Sequence, residues 1–217
     1  MTMAPIELLE PRWRDFWTRA GAVGDPAPIY EDLVTRYGEP HRAYHTLVHI
    51  AQCLQEFESA RFLAADPIAV ELALWYHDVV YDPRARDNEE QSALQAIAIA
   101  RHARLGNQIG QAAADFIRAT VHGQLPLGTD AQLVADVDLA ILGQSEAAFD
   151  AYERAVRQEY AWVPDDAFGA GRRRILEGLL ARPVLYGTDW FRTRYETAAR
   201  RNLARSIRQL GDQSAGS

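Results

Sequence analysis

Hydrophobic residues recur every three or four positions along most of this chain, which is the period of an amphipathic α-helix. No stretch shows the sustained two-residue alternation that a half-buried β-strand would need. Turn signals such as Asp66-Pro67, Asp82-Pro83 and the Gly- and Pro-rich segment 24–28 separate the helical stretches. We therefore predict an all-α fold, a single-domain helical bundle with helices over 8–20, 29–38, 44–62, 66–81, 87–105, 107–122, 130–142, 145–162, 164–182 and 188–210.

The domain organisation follows from length and composition. A chain of 217 residues is long enough for one sizeable core, and no low-complexity linker or internal repeat divides it. We assign residues 1–210 to this one domain. The last residues, 211–217, are small and polar, and they predict a disordered tail.

Charge and residue usage exclude several classes of function. The net charge of −7 argues against nucleic-acid partners, and all 23 basic residues are arginine, which excludes every mechanism that needs a lysine. The one cysteine, Cys53, cannot form a disulfide within the chain. No apolar run approaches the ~20 residues of a membrane span, and the N-terminus lacks a signal-peptide core. We therefore predict a soluble, cytoplasmic protein with no membrane partner.

The strongest chemical signal is the pair His77-Asp78 inside the apolar stretch 73–81. Burying an ionisable side chain without a partner costs several kcal/mol, so this pair needs a compensating group. A divalent cation is the simplest such group, because it binds an imidazole nitrogen and a carboxylate oxygen together. The pair predicts a metal site.

Other residues of metal-ligand type also lie in apolar segments. His45 and His49 are four positions apart, which would place them on one face of a continuous helix. Asp136 and Asp138 lie in a second apolar run, and His122 lies at the end of an apolar helix. Taken alone, His45 or His49 is better explained as a satisfied core or surface histidine. Each aspartate alone could cap a helix or lie on a surface face, and His122 could be a cation at a helix C-terminus. Their joint occurrence favours metal binding.

The order of these residues, histidine, then His-Asp, then aspartate, resembles the HD superfamily of metal-dependent phosphohydrolases, in an uncharacterised bacterial branch. The resemblance implies that His49, His77 and Asp78 bind a divalent metal ion together with one further aspartate. We prefer Asp136 for that position and keep Asp138 as the alternative. The resemblance covers nearly the whole chain, at residues 75–81, 87–93, 136–143, 157–160, 171–172 and 199–203.

Residues 44–49 are also similar to the Tyr-His-Asn-x-x-His element of cyclic-nucleotide phosphodiesterases, with Thr46 in place of the asparagine. This similarity implies that His45 acts as a general acid or contacts the phosphate. Glu89 follows the His-Asp pair. It either orients the attacking water or lies in the first turn of its helix, where a negative charge interacts favourably with the helix dipole. His122 is the candidate ligand of a second metal ion.

A phosphorylated substrate also needs positive charge near the metal ion. Arg42, Arg86 and Arg172 are the candidate substrate-binding residues, although arginines are more often solvated and paired with carboxylates. Mixed nitrogen and oxygen ligands favour manganese, iron, cobalt, nickel or zinc over magnesium.

Together these observations predict a metal-dependent phosphohydrolase that cleaves a phosphoester or phosphoanhydride of a small molecule, such as a nucleotide, using water activated by the metal ion. One alternative is a non-catalytic HD module that binds a nucleotide or signalling molecule. A second is a di-iron HD-type oxygenase, which would recruit His45 and His122 as further ligands. A homo-oligomer is compatible with the sequence, which leaves the oligomeric state open.

Overall fold

The computed structural model describes residues 6–121 and 126–215, and the side chains of 7–121 and 126–211 among them. These residues contain no β-strand, which confirms the predicted all-α fold. None of the described helices is both long and apolar enough to cross a membrane. The helices are α1 (Leu9–Arg19), α2 (Ala27–Tyr37), α3 (Leu47–Ala60), α4 (Pro67–Tyr76), α5 (Asn88–His102), α6 (Asn107–Arg118), α7 (Thr129–Asp138), α8 (Glu146–Glu159), α9 (Asp165–Leu180) and α10 (Asp189–Ala215), with short 3-10 turns at Ile6–Leu8, Arg61–Leu63 and Leu139–Gly143.

Helix α4 forms the centre of the core. Apart from Glu71, whose carboxylate pairs with Arg19 and Arg61, it is apolar on all sides. Its most deeply buried side chains include Val70, Leu72, Leu74 and Trp75. A helix that is hydrophobic all round must be surrounded by other elements, and α4 packs against α1, α3, α5, α6 and α7. The residues that follow α4 are therefore delivered to the middle of the bundle.

The start of α4 agrees with the sequence-based prediction, whereas its end does not. At its start, the Asp66 carboxylate accepts hydrogen bonds from the N–H groups of Ile68 and Ala69, at 3.1 and 3.0 Å, as the Asp-Pro signal predicts. At its other end, α4 stops at Tyr76, five residues before the predicted end at residue 81. His77 and Asp78 thus lie in a turn after the helix.

Helix α3 begins three residues later than predicted. Thr46 is its N-cap, and the Thr46 Oγ1 accepts a hydrogen bond from the N–H of Val48 at 3.3 Å. His45 therefore precedes the helix, and the predicted arrangement of His45 and His49 on one continuous helical face is wrong. The cap orients the chain so that the two histidines approach the core from different elements.

The C-terminal helix α10 packs against α9 and the 3-10 turn that follows α7. A Cβ atom at Gly143 would lie 2.5 Å from the Cβ of Tyr195, so only glycine permits this close approach. Helix α10 continues to Ala215, so residues 211–215 extend the helix beyond the predicted end at residue 210. Residues 216 and 217 of the predicted tail lie outside the described residues.

Candidate metal centre

Four side chains from three elements converge at the end of α4. His49 comes from α3, His77 and Asp78 from the turn after α4, and Asp138 from the last position of α7. The Nε2 atoms of the two histidines are 3.0 Å apart. Asp78 Oδ2 lies 3.1 Å from His77 Nε2 and 3.5 Å from His49 Nε2. Asp138 Oδ1 lies 3.3 Å from His49 Nε2 and 3.6 Å from His77 Nε2.

These separations match those of ligand atoms around one metal ion. Ligands at about 2.1 Å from an ion are about 3.0 Å apart at octahedral edges and about 3.4 Å apart at tetrahedral edges. The His77 Nδ1 atom lies 3.0 Å from the carbonyl oxygen of Leu74, which can only accept, so Nδ1 carries the proton. The Nε2 atom of His77 therefore faces the cluster and is the nitrogen that would bind an ion, as in histidines that bind metal ions. The residues present fit a divalent cation.

The electrostatics of the cluster also suit a cation. Burial alone would lower the pKa of His77, but the carboxylates of Asp78 and Asp138 raise it well above its usual range. Burial lowers the pKa of His49. Although burial opposes it, the imidazoles hold the pKa values of both carboxyls below their usual range, so both acids stay ionised at neutral pH. Two negative charges thus meet two imidazoles in a largely buried site.

Asp136 does not belong to this cluster. Successive helical residues are about 100° apart around the axis, so residues two positions apart point to nearly opposite sides. Asp136 accepts hydrogen bonds from the N–H groups of Gly187 and Thr188, each at 2.7 Å, and from the Thr188 hydroxyl at 2.6 Å. Burial raises the pKa of Asp136 to about 6 despite these bonds. Our preference for Asp136 as the fourth ligand is therefore corrected to Asp138, and Asp136 anchors the segment before α10.

Cys53 is a neighbour of the cluster that sequence reasoning missed. Together with His49, His77 and Asp138 it forms a group whose ligand atoms all lie within 4.8 Å of one another and could hold a metal ion. Its Sγ atom lies 3.7 Å from Nδ1 and 3.6 Å from Nε2 of His49, which places the sulfur beside the ring rather than along the Nε2 lone pair. Burial raises the pKa of the Cys53 thiol well above its usual range. The four-residue spacing from His49 was the available signal.

A cavity of about 520 Å³ opens beside the cluster, with Asp78 and Asp138 in its wall. The same cavity brings together four residues that the sequence analysis assigned to catalysis or substrate binding. These are His45, Arg86, Glu89 and Arg172. Much of the remaining wall is aromatic, with contributions from Tyr81, Tyr152, Tyr160 and Phe168.

His45 is held by a buried carboxylate, Glu159, at the end of α8. Glu159 Oε1 accepts hydrogen bonds from the N–H groups of Ala43, Tyr44 and His45 at 2.8, 2.8 and 3.0 Å. Glu159 Oε2 lies 2.7 Å from His45 Nδ1 and accepts a hydrogen bond from the Tyr81 hydroxyl at 2.8 Å. Sequence reasoning did not select Glu159, and its only signal was its place in the stretch 157–160 of the family resemblance.

The two groups of this pair shift each other's pKa in opposite directions. Burial alone would raise the pKa of Glu159, but His45 and the backbone N–H groups lower it to about 2. Burial alone would lower the pKa of His45, but Asp78 and Glu159 raise it above its usual value. Glu159 therefore stays ionised, and it favours a protonated His45.

Arg42 has a structural position instead of the predicted contact with substrate. Its guanidinium donates hydrogen bonds to the carbonyl oxygens of His45, Asp78 and Val79 at 3.0, 2.7 and 3.2 Å, and to the Glu39 carboxylate at 2.9 Å. Arg42 is buried and does not line the cavity. It binds the carbonyl groups of the turn after α4 and so stabilises that turn.

Arg172 and Arg86, the other two predicted substrate-binding arginines, both line the cavity, but they differ in burial and in whether a carboxylate pairs with them. Arg172 is buried, and its guanidinium is paired with the Glu153 carboxylate. Arg86 is exposed, and no carboxylate of the described residues forms an ion pair with it.

Glu89 lies in the first turn of α5 and lines the cavity, so both of its predicted roles stay open. His122, the predicted ligand of a second ion, lies outside the described residues.

Replacing Arg42 by methionine is expected to lower the free energy of unfolding by about 2–4 kcal/mol, because the carbonyl groups of the turn lose a charged donor. Arg86→Met is the matched control, and the loss of this exposed side chain is expected to change stability by less than about 0.5 kcal/mol. Urea unfolding of both ion-free variants measures the difference. Equal stability of Arg42→Met and wild type would contradict the structural role of Arg42.

The comparisons with known proteins found no relative. No family model, no curated protein and no solved structure matches this chain. The all-helical fold and the group of histidine, cysteine and aspartate residues are compatible with an HD-type metal site.

Proposed function

We propose that this protein is an HD-type metal-dependent phosphohydrolase that cleaves a phosphoester or phosphoanhydride of a small molecule, such as a nucleotide. One observation carries the proposal: the four-residue cluster lies at the wall of a substrate-sized cavity, and His45 with its carboxylate partner lies in the same wall. Metal ligands, a proton donor and a substrate space are thereby adjacent.

His49, His77, Asp78 and Asp138 would hold the ion. A divalent cation bound there would lower the pKa of a water molecule and polarise the phosphoryl group. The two imidazoles and two carboxylates suit manganese, iron, cobalt, nickel or zinc better than magnesium, which prefers oxygen ligands. The partly exposed carboxylates of Asp78 and Asp138 leave the cavity side of the cluster open.

His45 is the candidate general acid. Glu159 occupies its Nδ1 atom, so Nε2 is the nitrogen that remains to donate a proton to the leaving-group oxygen. Asp78 and Glu159 raise the pKa of His45, which favours the protonated ring that a general acid needs. Glu159 itself acts through His45, because it orients the ring and stabilises its charge.

The cavity is large enough to accommodate a small phosphorylated substrate. Its volume of about 520 Å³ lies within the range of small-molecule sites. The rings of Tyr81, Tyr160 and Phe168 offer faces and edges for a flat group such as a nucleobase. Arg86 is the guanidinium available to attract the phosphate charge, since Arg172 is already paired with Glu153.

The proposal is tested by metal analysis and turnover of the wild type, of His77→Ala and of the control His102→Ala. His102 is exposed at the end of α5, outside the cluster. Wild type and the control are expected to retain about one equivalent of a transition metal and to hydrolyse a member of a phosphomonoester and nucleotide panel. His77→Ala is expected to lose both.

Three results would contradict the proposal. Turnover retained in His77→Ala would exclude the metal-dependent mechanism. No metal in the wild type, even after reconstitution with manganese and iron, would make the four residues structural. A metal-loaded wild type that binds nucleotides without hydrolysing any of them would favour the non-catalytic module.

A further inference from the structure

The hydroxyl group of Tyr44 is buried beside the cluster and has no hydrogen-bond partner among the described residues. Other buried tyrosines are satisfied: Tyr37 donates to the carbonyl oxygen of Trp75 at 2.9 Å, and Tyr186 donates to that of Leu139 at 3.1 Å. Buried polar groups are nearly always paired, because an unpaired one loses its bonds to water without compensation. The Tyr44 hydroxyl therefore indicates a partner that comes from outside the chain.

Tyr44 lies between two cavities that both reach the cluster. Its ring centroid is 4.7 Å from that of His49 and 4.5 Å from that of Tyr152. Tyr44 and Asp138 line the large cavity, and both also line a second cavity of about 100 Å³ that contacts His49 and Cys53. The Tyr44 side chain thus borders the space where a ligand of the ion would bind.

The backbone holds Tyr44 in this position. Its N–H donates to Glu159 Oε1 at 2.8 Å, and its carbonyl oxygen accepts from the N–H of Thr46 at 2.8 Å. The ring packs edge-on against Tyr152. The hydroxyl is therefore the one polar group of this residue without a partner among the described residues, and it is held in place before a ligand arrives.

We propose that the Tyr44 hydroxyl donates a hydrogen bond to a phosphoryl oxygen of the substrate. The inference rests on the proposed function, since it needs a phosphate bound at the metal centre. A phosphoryl oxygen carries negative charge, and a neutral donor beside it forms a charge-assisted hydrogen bond. Tyr44 is then a substrate-binding residue that acts together with the ion and Arg86.

The test uses Tyr44→Phe in manganese-loaded protein, with inorganic phosphate as the probe in isothermal titration calorimetry. The variant is expected to retain manganese affinity and to bind phosphate about tenfold more weakly. It is expected to unfold, without phosphate, at a temperature no lower than wild type, because no protein hydrogen bond is lost. Tyr37→Phe is the control with the opposite result: a lower unfolding temperature and unchanged phosphate affinity.

Each remaining outcome overturns the inference. Unchanged phosphate affinity in manganese-loaded Tyr44→Phe excludes the hydrogen bond and leaves the metal centre and the proposed function standing. An unfolding temperature reduced as in Tyr37→Phe shows that the hydroxyl has a protein partner. A wild type that binds no manganese overturns both the Tyr44 inference and the proposed function.

Discussion

Replacing Asp138 by asparagine is expected to abolish metal binding and turnover, whereas the same substitution at Asp136 is expected to preserve both. Asp138 Oδ1 lies within 3.6 Å of both histidine Nε2 atoms, so its charge and oxygen are part of the cluster. Changes to residues that merely support a ligand reduce metal affinity by about 10–100-fold, and the loss of a ligand itself is expected to exceed about 100-fold. Asp136 accepts its hydrogen bonds from the segment before α10, on the side of α7 away from the cluster.

Metal content and competition with a chelator measure the difference between the two asparagine variants. Asp136→Asn is expected to lower the free energy of unfolding by about 1–2 kcal/mol, because an amide NH₂ cannot accept the hydrogen bond of the Thr188 N–H. Loss of metal in Asp136→Asn, with metal retained in Asp138→Asn, would refute the assignment of Asp138 to the metal centre.

Replacing Glu159 by glutamine is expected to weaken both the fold and catalysis. An amide in its place keeps one acceptor oxygen for the backbone N–H groups but cannot accept from His45 Nδ1. The pKa of Glu159 falls from 4.5 to about 2 on folding, which corresponds to roughly 3 kcal/mol of stability at neutral pH. Loss of an oriented general acid reduces kcat by about 100-fold or more.

The stability difference between wild type and Glu159→Gln is expected to depend on pH. A carboxyl whose pKa is lowered by folding stabilises the protein above its unfolded pKa, and the stabilisation is lost as the pH falls toward the folded pKa. The difference is therefore constant between about pH 4.5 and pH 6.5 and shrinks by about 1.4 kcal/mol per pH unit below pH 4.5. Above about pH 6.5 it shrinks again, because Glu159 raises the pKa of His45 and this stabilisation is lost as His45 loses its proton. Urea unfolding of ion-free protein between pH 7 and pH 3 measures this trend.

Glu90→Gln serves as the control for that experiment. Glu90 is an exposed partner of Arg118 on the surface, and exposed ion pairs contribute little to stability. Its removal is expected to leave the unfolding curve nearly unchanged. A difference between wild type and Glu159→Gln that does not vary between pH 5 and pH 3 would show that the carboxylate charge is not what stabilises this contact.

The all-α fold could be predicted from the sequence because helical periodicity is a local property. The apolar stretch before His77 and the Asp66-Pro67 start signal both act within one or two turns, and both locate α4. The presence of a metal-type cluster was predictable for a similar reason. Histidine and aspartate side chains in apolar segments must be compensated, whatever the fold.

The partners of these residues were beyond the reach of the sequence, because they lie far apart in the chain. His45 and Glu159 are 114 positions apart, and Arg42 meets Asp78 across 36 positions. No local pattern distinguishes an arginine that binds backbone carbonyl groups from one that faces a cavity, as the contrast between Arg42 and Arg86 shows.

The sequence could not decide between Asp136 and Asp138 as the fourth ligand for the same reason, since the decision depends on contacts between distant parts of the chain. Both lie in one apolar run, and periodicity indicates only that they point to opposite sides of α7. Which side meets the histidines depends on how α7 is rotated against α3 and α4, and packing of side chains sets that rotation. The local pattern was therefore sufficient to predict the helices and the residue types of the candidate metal centre. Which histidines and aspartates form that centre was decided by the packing of the helices against one another.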